Sequence, residues 1–263
     1  MSPTFPARLE RFTSVDSTQA VVRGWLEAGT PEVAVAVADV QTAGRGRLDR
    51  TWSAPPGAAL LCSCGFRPRD LDARHGWRLG AVVSLAMLDA AEHAAGLREG
   101  RLRLKWPNDL VVPDGDGLRK VAGVLGESVL GGDGSLESAV IGIGVNADWA
   151  AADFPAELAS SMTSLREASG GRPIDRDELL DGFLARLEPR YEALDAGRFD
   201  AGAWSTRQVT TGREVEVEVA TGGAILAGRA IGVDPESGAL LLAVEGREIA
   251  LGSGDVTRCR VVG

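Results

Sequence analysis

The chain has 263 residues, 44% hydrophobic and 25% charged, with a formal net charge of −9, which fits a folded protein with a sizeable core. A pI near 4.9 argues against a nucleic-acid partner, because such partners are held by a basic face. No apolar run reaches the length of roughly 18 residues that a membrane helix needs, and no basic N-terminal segment precedes an apolar one. The sequence therefore predicts no membrane partner, no signal peptide and a cytoplasmic location.

Up to about residue 208, apolar runs of strand length alternate with segments of helical periodicity. The predicted strands, in chain order, are RLERFTSV, EVAVAVADV, AALLCSCGF and RLRLKW, followed by a hairpin of RKVAGVLGESVL and LESAVIGIGVN. The predicted helices are DSTQAVVRGWLEAG, capped by Asp16 or Ser17, then the stretch from about Leu71 to Ala95, then 175–196 and 199–207. This order predicts an α+β domain.

After about Gln208 the sequence changes to short alternating strands separated by Gly, Asp and Pro turns. Such regular short strands in so few residues predict a small antiparallel barrel of the SH3 size. We therefore predict two domains, residues 1–208 and residues 209–263.

The three cysteines are an odd number and too few for a disulfide framework. Cys62 and Cys64 alternate along one predicted strand, so their side chains share a face. Only His75 and His93 could complete a metal site or a catalytic triad. We expect buried structural thiols, since free cysteine behaves as a small hydrophobe.

Lysine and asparagine are rare in this chain. It has 26 Arg but only Lys105 and Lys120, and its only asparagines are Asn108 and Asn146. Because Arg and Lys differ in shape and hydration, a retained Lys can mark a position that needs a compact point charge. Chance is the rival explanation, and the location of these residues in independent motifs decides between the two.

The segment QTAGRGRLDRTW, residues 41–52, combines glycines with three arginines. Glycine lets the backbone approach a ligand closely, and the guanidinium groups of Arg45, Arg47 and Arg50 suit carboxylate or phosphate. For GRGR alone, a solvated basic turn is an equally good interpretation. As an anion site, the segment is expected to be mobile and its arginines unpartnered until the ligand arrives.

Three further motifs carry polar residues at strand ends. In KWPNDL, Lys105 suits phosphate, and Asp109 suits Mg²⁺, which favours one or two carboxylates together with substrate phosphates. KVAGVLGE places Lys120 at the start of a strand beside Gly123, which permits close approach. In GIGVN the amide of Asn146 could reach a metal ion or a polar substrate group.

Taken in this order, the motifs DSTQ, QTAGRGRLDRTW, KWPNDL, KVAGVLGE, GIGVN and TSL resemble the biotin protein ligases over essentially the whole chain. The resemblance implies the mixed-sheet fold of class II synthetases and biotin–lipoate ligases, with an SH3-like C-terminal domain. It also implies that biotin and ATP form biotinyl-5′-AMP with Mg²⁺ as cofactor. The biotin then passes to a lysine of a biotin carboxyl carrier protein.

The resemblance also implies a set of site residues. The expected biotin contacts are Ser17, Thr18, Gln19, Gln41, Arg45, Gly46, Arg47, Lys120 and Gly123. The expected ATP contacts are Arg47, Arg50, Trp52, Lys105, Asn108, Lys120 and Asn146. Arg45, Arg47 and Lys120 are expected to act in catalysis, and Asp109 and Asn146 to hold the metal.

Two positions depart from the family pattern. Gln19 stands where many members have Asn, and Leu61 falls near a position that is aromatic in some relatives. The wall of the biotin pocket is therefore expected to differ here.

Several alternatives stay open at this point. A lipoate or octanoate ligase shares the fold, but its R-x-S-G-G-G-A run does not occur in the chain. A non-catalytic biotin-binding or carrier-docking protein is a second possibility. A bifunctional ligase that represses transcription would need a helix-turn-helix domain, and the short stretch before DSTQ is expected to leave no room for one. A weak homodimer is possible, and the C-terminal domain could close over ATP, dock the carrier or stabilise the fold.

Overall fold

The computed structural model describes residues 5–48, 50–219 and 223–260, so Asp49, residues 220–222 and both chain ends lie outside it. Seven strands form one mixed sheet in the order β1-β2-β3-β7-β6-β5-β4. β1 and β2 run parallel, and every other neighbouring pair is antiparallel. The bounds are β1 Arg8–Val15, β2 Ala34–Gln41, β3 Ala59–Phe66, β4 Arg103–Lys105, β5 Asp109–Asp114, β6 Gly117–Leu130 and β7 Leu136–Asn146.

Helices cover both faces of this sheet. They are α1 Thr18–Glu27, α2 Trp77–Ala94, α3 Leu165–Ala168, α4 Arg176–Asp195 and α5 Ala201–Arg207, with short 3₁₀ turns at Ala73–His75 and Ala151–Asp153. A side chain at Gly65 would lie 2.6 Å from Val22, so α1 packs tightly on that face. The next residue, Phe66, points to the other face and packs its ring 4.9 Å from that of Tyr191 on α4. No helix in the described ranges is both long enough and apolar enough to cross a membrane.

Three glycines leave a bare area on the α1 face of the sheet. Gly123 of β6 pairs with Gly144 of β7, and Gly142 pairs with Leu125 in the same ladder. Because strand side chains alternate between faces, Gly142 and Gly144 share one face with Gly123. We call Gly123, Gly142 and Gly144 the glycine floor.

A second, antiparallel sheet follows in the order β11-β10-β9-β8-β12. Its strands are β8 Glu214–Glu218, β9 Ile225–Val233, β10 Leu240–Val244, β11 Arg247–Leu251 and β12 Asp255–Arg260. In the described part of the chain, β11 and β12 lie at opposite edges, so the ladder does not close. The mixed α+β architecture with two sheets is confirmed, but the closed SH3-like barrel is not. The boundary proposed at residue 208 falls between α5 and β8.

The structure adds the short helix α3 to the predicted elements and differs from them at α2 and β5. The helix expected from about Leu71 begins only at Trp77, after a 3₁₀ turn capped by Asp72, whose side chain accepts from the Arg74 amide. Strand β5 was not predicted, because Pro113 interrupts its short apolar run and proline cannot donate to a ladder. Cys62 and Cys64 are free and buried, as expected.

Candidate active site

A cavity of about 840 Å³ lies over the glycine floor. It is bounded by the start of α1, by the 41–55 segment, by β5 and β6, and by β12 of the second sheet. The predicted residues that line it are Thr18, Gln19, Gln41, Arg45, Gly46, Arg47, Arg50, Trp52, Lys105, Asn108, Asp109, Lys120 and Gly123. Motifs far apart in the sequence therefore meet at one place.

The inner end of the cavity is polar. The Thr18 amide donates to Gln41 Oε1 at 2.8 Å, and Thr18 Oγ1 lies 3.1 Å from the same oxygen. Thr18 Oγ1 and Ser63 Oγ are 2.7 Å apart in a buried contact. Gln19 spreads over the floor, where a side chain at Gly142 would come within 2.9 Å of it, and its Nε2 donates to Leu125 O. Hydroxyl and amide groups are thus concentrated beside the glycine floor.

The arginine-rich segment forms a tight hairpin rather than an open loop. Arg45 and Thr51 make an isolated antiparallel bridge, the Gly46 amide donates to Arg50 O at 2.6 Å, and the Trp52 amide donates to Gly44 O. A side chain at Gly44 would lie 2.4 Å from the Trp52 carbonyl oxygen, so this close approach requires glycine. We call residues 44–52 the arginine hairpin.

Contrary to the sequence-based expectation, the three arginines already have protein partners. Arg45 lies 2.8 Å from Glu127 Oε1, and Arg50 lies 2.7 Å from Asp255 Oδ2. Arg47 donates to Gly254 O at 2.9 Å and to Asn108 Oδ1 at 3.3 Å. The expectation failed because Glu127 and Asp255 come from distant parts of the chain, β6 and the second sheet. The predicted mobility of the hairpin stays a prediction.

Arg47 is the most enclosed of the three guanidinium groups. Burial lowers its pKa, and the negative charges of Asp255 and Asp109 offset part of that shift. An arginine nevertheless stays protonated at neutral pH. A partly desolvated cation at the cavity wall favours an anionic ligand.

Lys120 also lines the cavity. Its Nζ is 2.6 Å from Asp109 Oδ1 and 5.3 Å from the centroid of the Trp52 ring. The Trp52 ring rests on the glycine floor, where a side chain at Gly144 would lie 2.5 Å from it. The buried Trp52 Nε1 has no hydrogen-bond partner among the described residues. The indole ring therefore occupies a surface on which a flat ligand ring could lie.

The second sheet completes the cavity. Lys105 Nζ donates to Val256 O at 2.7 Å, so Lys105, Arg47 and Arg50 each contact one of the residues 254–256. Asn108 is held by its Nδ2 donating to Val124 O. Burial raises the pKa of the Cys259 thiol on the same strand, β12.

Two predicted residues do not line the cavity. Ser17 is buried at the start of α1 and makes no side-chain cap bond. Asn146 is buried, and its Nδ2 donates to Thr163 O, while Oδ1 has no partner in the described structure. In the described residues there is no cluster of three or more His, Cys, Asp or Glu arranged to hold a metal ion.

Sequence reasoning missed Ser63, Gly142, Gly144 and Asp255, which line the cavity, and Glu127, which pairs with Arg45. Gly142 and Gly144 were detectable, because two glycines at alternate positions of one strand expose the same face. Glu127 and Asp255 gave no local signal, since their partners are distant in sequence.

The chain is similar to known proteins in sequence and in fold. Residues 11–146 match the model of the biotin/lipoate A/B protein ligase family. The bifunctional ligase/repressor BirA of Bacillus spizizenii is 32% identical over 234 residues, which are 88% of this chain and 68% of that protein. The biotin–[acetyl-CoA-carboxylase] ligase of Mycobacterium tuberculosis is 33% identical over 228 residues, 86% of this chain and 79% of the other.

A solved structure is similar over nearly the full length of both chains. It is the biotin protein ligase from Aquifex aeolicus in complex with biotin and ATP, with a TM-score of 0.77 and 28% sequence identity. The alignment covers 95% of this chain and 99% of that one. Since the family model spans more than half of the sequence, the chain belongs to the biotin/lipoate A/B protein ligase family.

Proposed function

We propose that this chain is an ATP-dependent biotin protein ligase. It converts biotin and ATP into biotinyl-5′-AMP and pyrophosphate, and then transfers biotin to a lysine of a biotin carboxyl carrier protein. The observation that carries the proposal is a cavity that joins a polar pocket, the glycine floor and a cluster of cations. The similarity to named biotin ligases of known sequence and structure supports it.

The polar end of the cavity favours biotin over lipoate or octanoate. The ureido ring of biotin carries N–H donors and a carbonyl acceptor, which match the groups of Thr18, Gln41 and Ser63. A dithiolane ring or an alkyl chain has no N–H donors and no carbonyl acceptor to match these groups.

In the first step a biotin carboxylate oxygen attacks the α-phosphorus of ATP, and the bond to the pyrophosphate leaving group breaks. The reaction needs no protein nucleophile, only alignment of the two substrates and stabilisation of charge on the phosphate oxygens. Arg45, Arg47 and Lys120 supply that stabilisation. Arg50, Trp52, Lys105 and Asn108 bind the nucleotide end.

Mg²⁺ is proposed to accompany ATP. Asp109 lines the cavity and fits a Mg²⁺ ion that is held mainly by phosphate oxygens and water. The unpaired Oδ1 of Asn146 is chemically suitable, but its buried position outside the cavity lining does not support direct ligation. When bound, the ion would neutralise phosphate charge; Asp109 would also keep Lys120 oriented.

In the second step the ε-amine of the carrier lysine attacks the acyl carbon of the mixed anhydride. The bond from that carbon to the AMP oxygen breaks, and the amine loses a proton. Asp109 is our candidate for the base, because its carboxylate faces the cavity. Because its Oδ1 already lies 2.6 Å from Lys120 Nζ, we assign it orientation of Lys120 as its first role.

The test is transfer to a carrier domain, followed by intact-mass spectrometry. With biotin and MgATP, one biotinyl group should appear on one carrier lysine, whereas lipoate or octanoate should give no adduct. Adenylate without transfer would indicate a different acceptor. Biotin binding with neither adenylate nor adduct would support the non-catalytic alternative and overturn the proposal.

A further inference from the structure

The motif KWPNDL contains a tryptophan to which the cavity gives no role. Lys105, Asn108 and Asp109 of this motif line the cavity of about 840 Å³, but Trp106 does not. Trp106 directly follows β4, and only 3% of its surface is exposed. A buried indole beside three cavity residues therefore makes its contacts elsewhere.

Trp106 contacts the second sheet and the segment that leads to it. Its Nε1 donates to Gly238 O at 3.0 Å, and its amide donates to Oγ1 of the buried Thr210 at 3.0 Å. A side chain at Gly254, just before β12, would lie 3.7 Å from the Trp106 ring. A buried indole N–H usually has a hydrogen-bond partner, and here that partner belongs to the second sheet. Trp106 thus joins two separate places on the second sheet to the first.

The turn between β9 and β10, residues 234–238, is docked on the first sheet's helices by main-chain atoms. Glu236 O accepts from Trp77 Nε1 at 3.2 Å. Gly238 has a φ of +72°, and a side chain there would lie 2.7 Å from the Trp77 ring. Glycine is therefore required at this position, both for the backbone conformation and for the close approach. We call residues 234–238 the docking turn.

The same sheet contributes one wall of the cavity. Residues 255–257 and Cys259 of β12 line it, and Lys105 Nζ donates to Val256 O at 2.7 Å. Because Lys105 and Trp106 are adjacent, one short segment contacts both the docking turn and the start of β12. A displaced second sheet would move this wall away from the cationic end of the cavity. A misplacement of about 1 Å can lower a rate by about 10²-fold.

We propose that Trp106 is a positioning residue, which sets the β12 wall of the second sheet against the nucleotide end of the cavity. It acts through Gly238 and Gly254 and not through contact with a substrate. The proposal deepens the proposed function, because it gives the tryptophan of KWPNDL and the docking turn a role in nucleotide binding. Its kinetic consequence rests on the proposed function, whereas its structural consequence does not.

The structural measurement is the rate at which thiols of the ligand-free full chain react with 5,5′-dithiobis(2-nitrobenzoate). Cys62 and Cys64 are 1% and 0% exposed, so Cys259 on β12 is the thiol expected to react. Burial raises the pKa of Cys259, and the charges of Arg213 and Lys105 offset part of that shift. Displacement of β12 from Lys105 would expose the thiol, and access controls its reactivity.

Two variants weaken the same contact from opposite sides. Trp106→Phe keeps a packed ring but removes the N–H that Gly238 O accepts. The net contribution of one hydrogen bond corresponds to a factor of about two to ten, so the Cys259 rate should rise by that factor. Gly238→Ala adds a methyl group against Trp77, and overpacking should raise the rate about tenfold.

Two matched variants separate docking from a general loss of stability. Trp25→Phe makes the same substitution on α1, where the ring packs against Phe12 and Arg8. Leu187→Ala truncates a fully buried side chain of α4 and should lower the melting temperature. Neither residue lines the cavity, so both variants should keep the Cys259 rate within about twofold of the wild type.

The kinetic measurement is biotin-dependent exchange of pyrophosphate into ATP. Trp106→Phe and Gly238→Ala should raise the KM for ATP about five- to tenfold and keep the KM for biotin within about twofold. The two constants should separate because Thr18, Gln41 and Ser63 of the polar pocket lie on α1, β2 and β3, outside the second sheet. The two control variants should leave both constants near their wild-type values.

Unchanged Cys259 rates in both Trp106→Phe and Gly238→Ala would overturn the proposal, whatever the KM values. A faster thiol reaction with an unchanged KM for ATP would also overturn it, because the contact would then only stabilise the fold. A parallel rise in both KM values would do the same, since it would show general damage. If the wild type has no exchange activity, the proposed function fails, and the thiol rates alone decide whether Trp106 docks the second sheet.

Discussion

Lys120 Nζ lies 2.6 Å from Asp109 Oδ1 at a register shift between β5 and β6. The shift, between Leu110 and Val111, places Val111 opposite Lys120 and Asp109 opposite Gly123. The main chain of Lys120 is fixed from the other side, since its amide donates to Ser161 O and its carbonyl accepts from the Thr163 amide. Lys120 is therefore held by backbone bonds that do not depend on its side chain.

Lys120→Ala should abolish adenylate formation without unfolding the chain. Removal of one electrostatic contact to a transition state typically lowers the rate by about 10²–10³-fold. The backbone bonds at Lys120 remain, so the melting temperature should change little. We expect pyrophosphate release to stop while the melting temperature stays near the wild-type value. Near-normal pyrophosphate release would contradict the role assigned to Lys120.

Lys120→Arg and Lys105→Arg should both be poorly tolerated although they keep the charge. Lys120 extends over Gly123, where a side chain would meet its Nζ at 3.0 Å. Lys105 reaches a single carbonyl, Val256 O. A planar guanidinium group is larger and cannot replace a point charge at such sites. Steady-state kinetics test this, and wild-type constants in both variants would show that the rarity of lysine is coincidence.

Gly144→Ala should disturb the cavity more than the fold. The added methyl group would lie 2.5 Å from Trp52 and force the ring off the floor. The methyl group would also occupy the surface on which a flat ligand ring could lie, and overpacking typically costs about 1–3 kcal/mol, so biotin affinity should fall roughly tenfold by titration calorimetry. Gly232→Ala is the control, because nothing lies within 4 Å of the added atom. Equal affinities in the two variants would refute the glycine floor as a binding surface.

Thr18→Val should weaken biotin binding while it preserves side-chain shape. The substitution removes the hydroxyl that contacts Ser63 Oγ and Gln41 Oε1. A buried polar group left unpaired costs about 1–3 kcal/mol, which predicts a five- to 150-fold higher biotin KM. The KM for ATP should stay near the wild-type value. A parallel rise in both constants would show general damage to the site instead.

Stability should depend on pH through Asp175, the N-terminal cap of α4. Hydrogen bonds from the backbone amides of Glu178 and Asp177 hold the pKa of Asp175 below its usual value of 3.8. A carboxylate with a depressed folded-state pKa stabilises the fold above its usual pKa, and the contribution is lost as the pH falls through the folded-state value. Asp175→Ala should therefore lower the melting temperature at pH 7 and much less near pH 3.

The matched control for this measurement is Asp181→Ala on the exposed side of the same helix. It removes a charge without removing a cap, so it should not reproduce the loss at pH 7. If the difference in melting temperature between the wild type and Asp175→Ala stayed constant from pH 7 to pH 3, it would not come from ionisation of the Asp175 carboxyl.

The sequence predicted elements well where the signal is local. The hairpin of β6 and β7 has strong apolar runs and a Gly-Gly-Asp-Gly turn, and the structure pairs them as expected. Strand β5 was missed because Pro113 interrupts a short apolar run. That run forms a strand because it pairs with β4 and β6. The predicted barrel is not confirmed by the described residues, because strand length and spacing do not tell whether the edge strands pair.

The candidate site was predictable in its motifs but not in its internal partners. The rare Lys105, Lys120 and Asn108 do meet at one cavity, although Asn146 lies buried outside it. The pairs Arg45–Glu127 and Arg50–Asp255 join residues 82 or more positions apart. Such contacts depend on the packing of sheets and domains, which no single-sequence pattern specifies.

The central claim is that one cavity holds biotin and ATP together and joins them. Its most direct test is the exchange of labelled pyrophosphate into ATP by the purified chain, with biotin, lipoate or octanoate as the acid and Lys120→Ala as the inactive control. We predict exchange with biotin alone and its loss in Lys120→Ala. Exchange that is independent of biotin, or that is faster with lipoate or octanoate, would contradict the account.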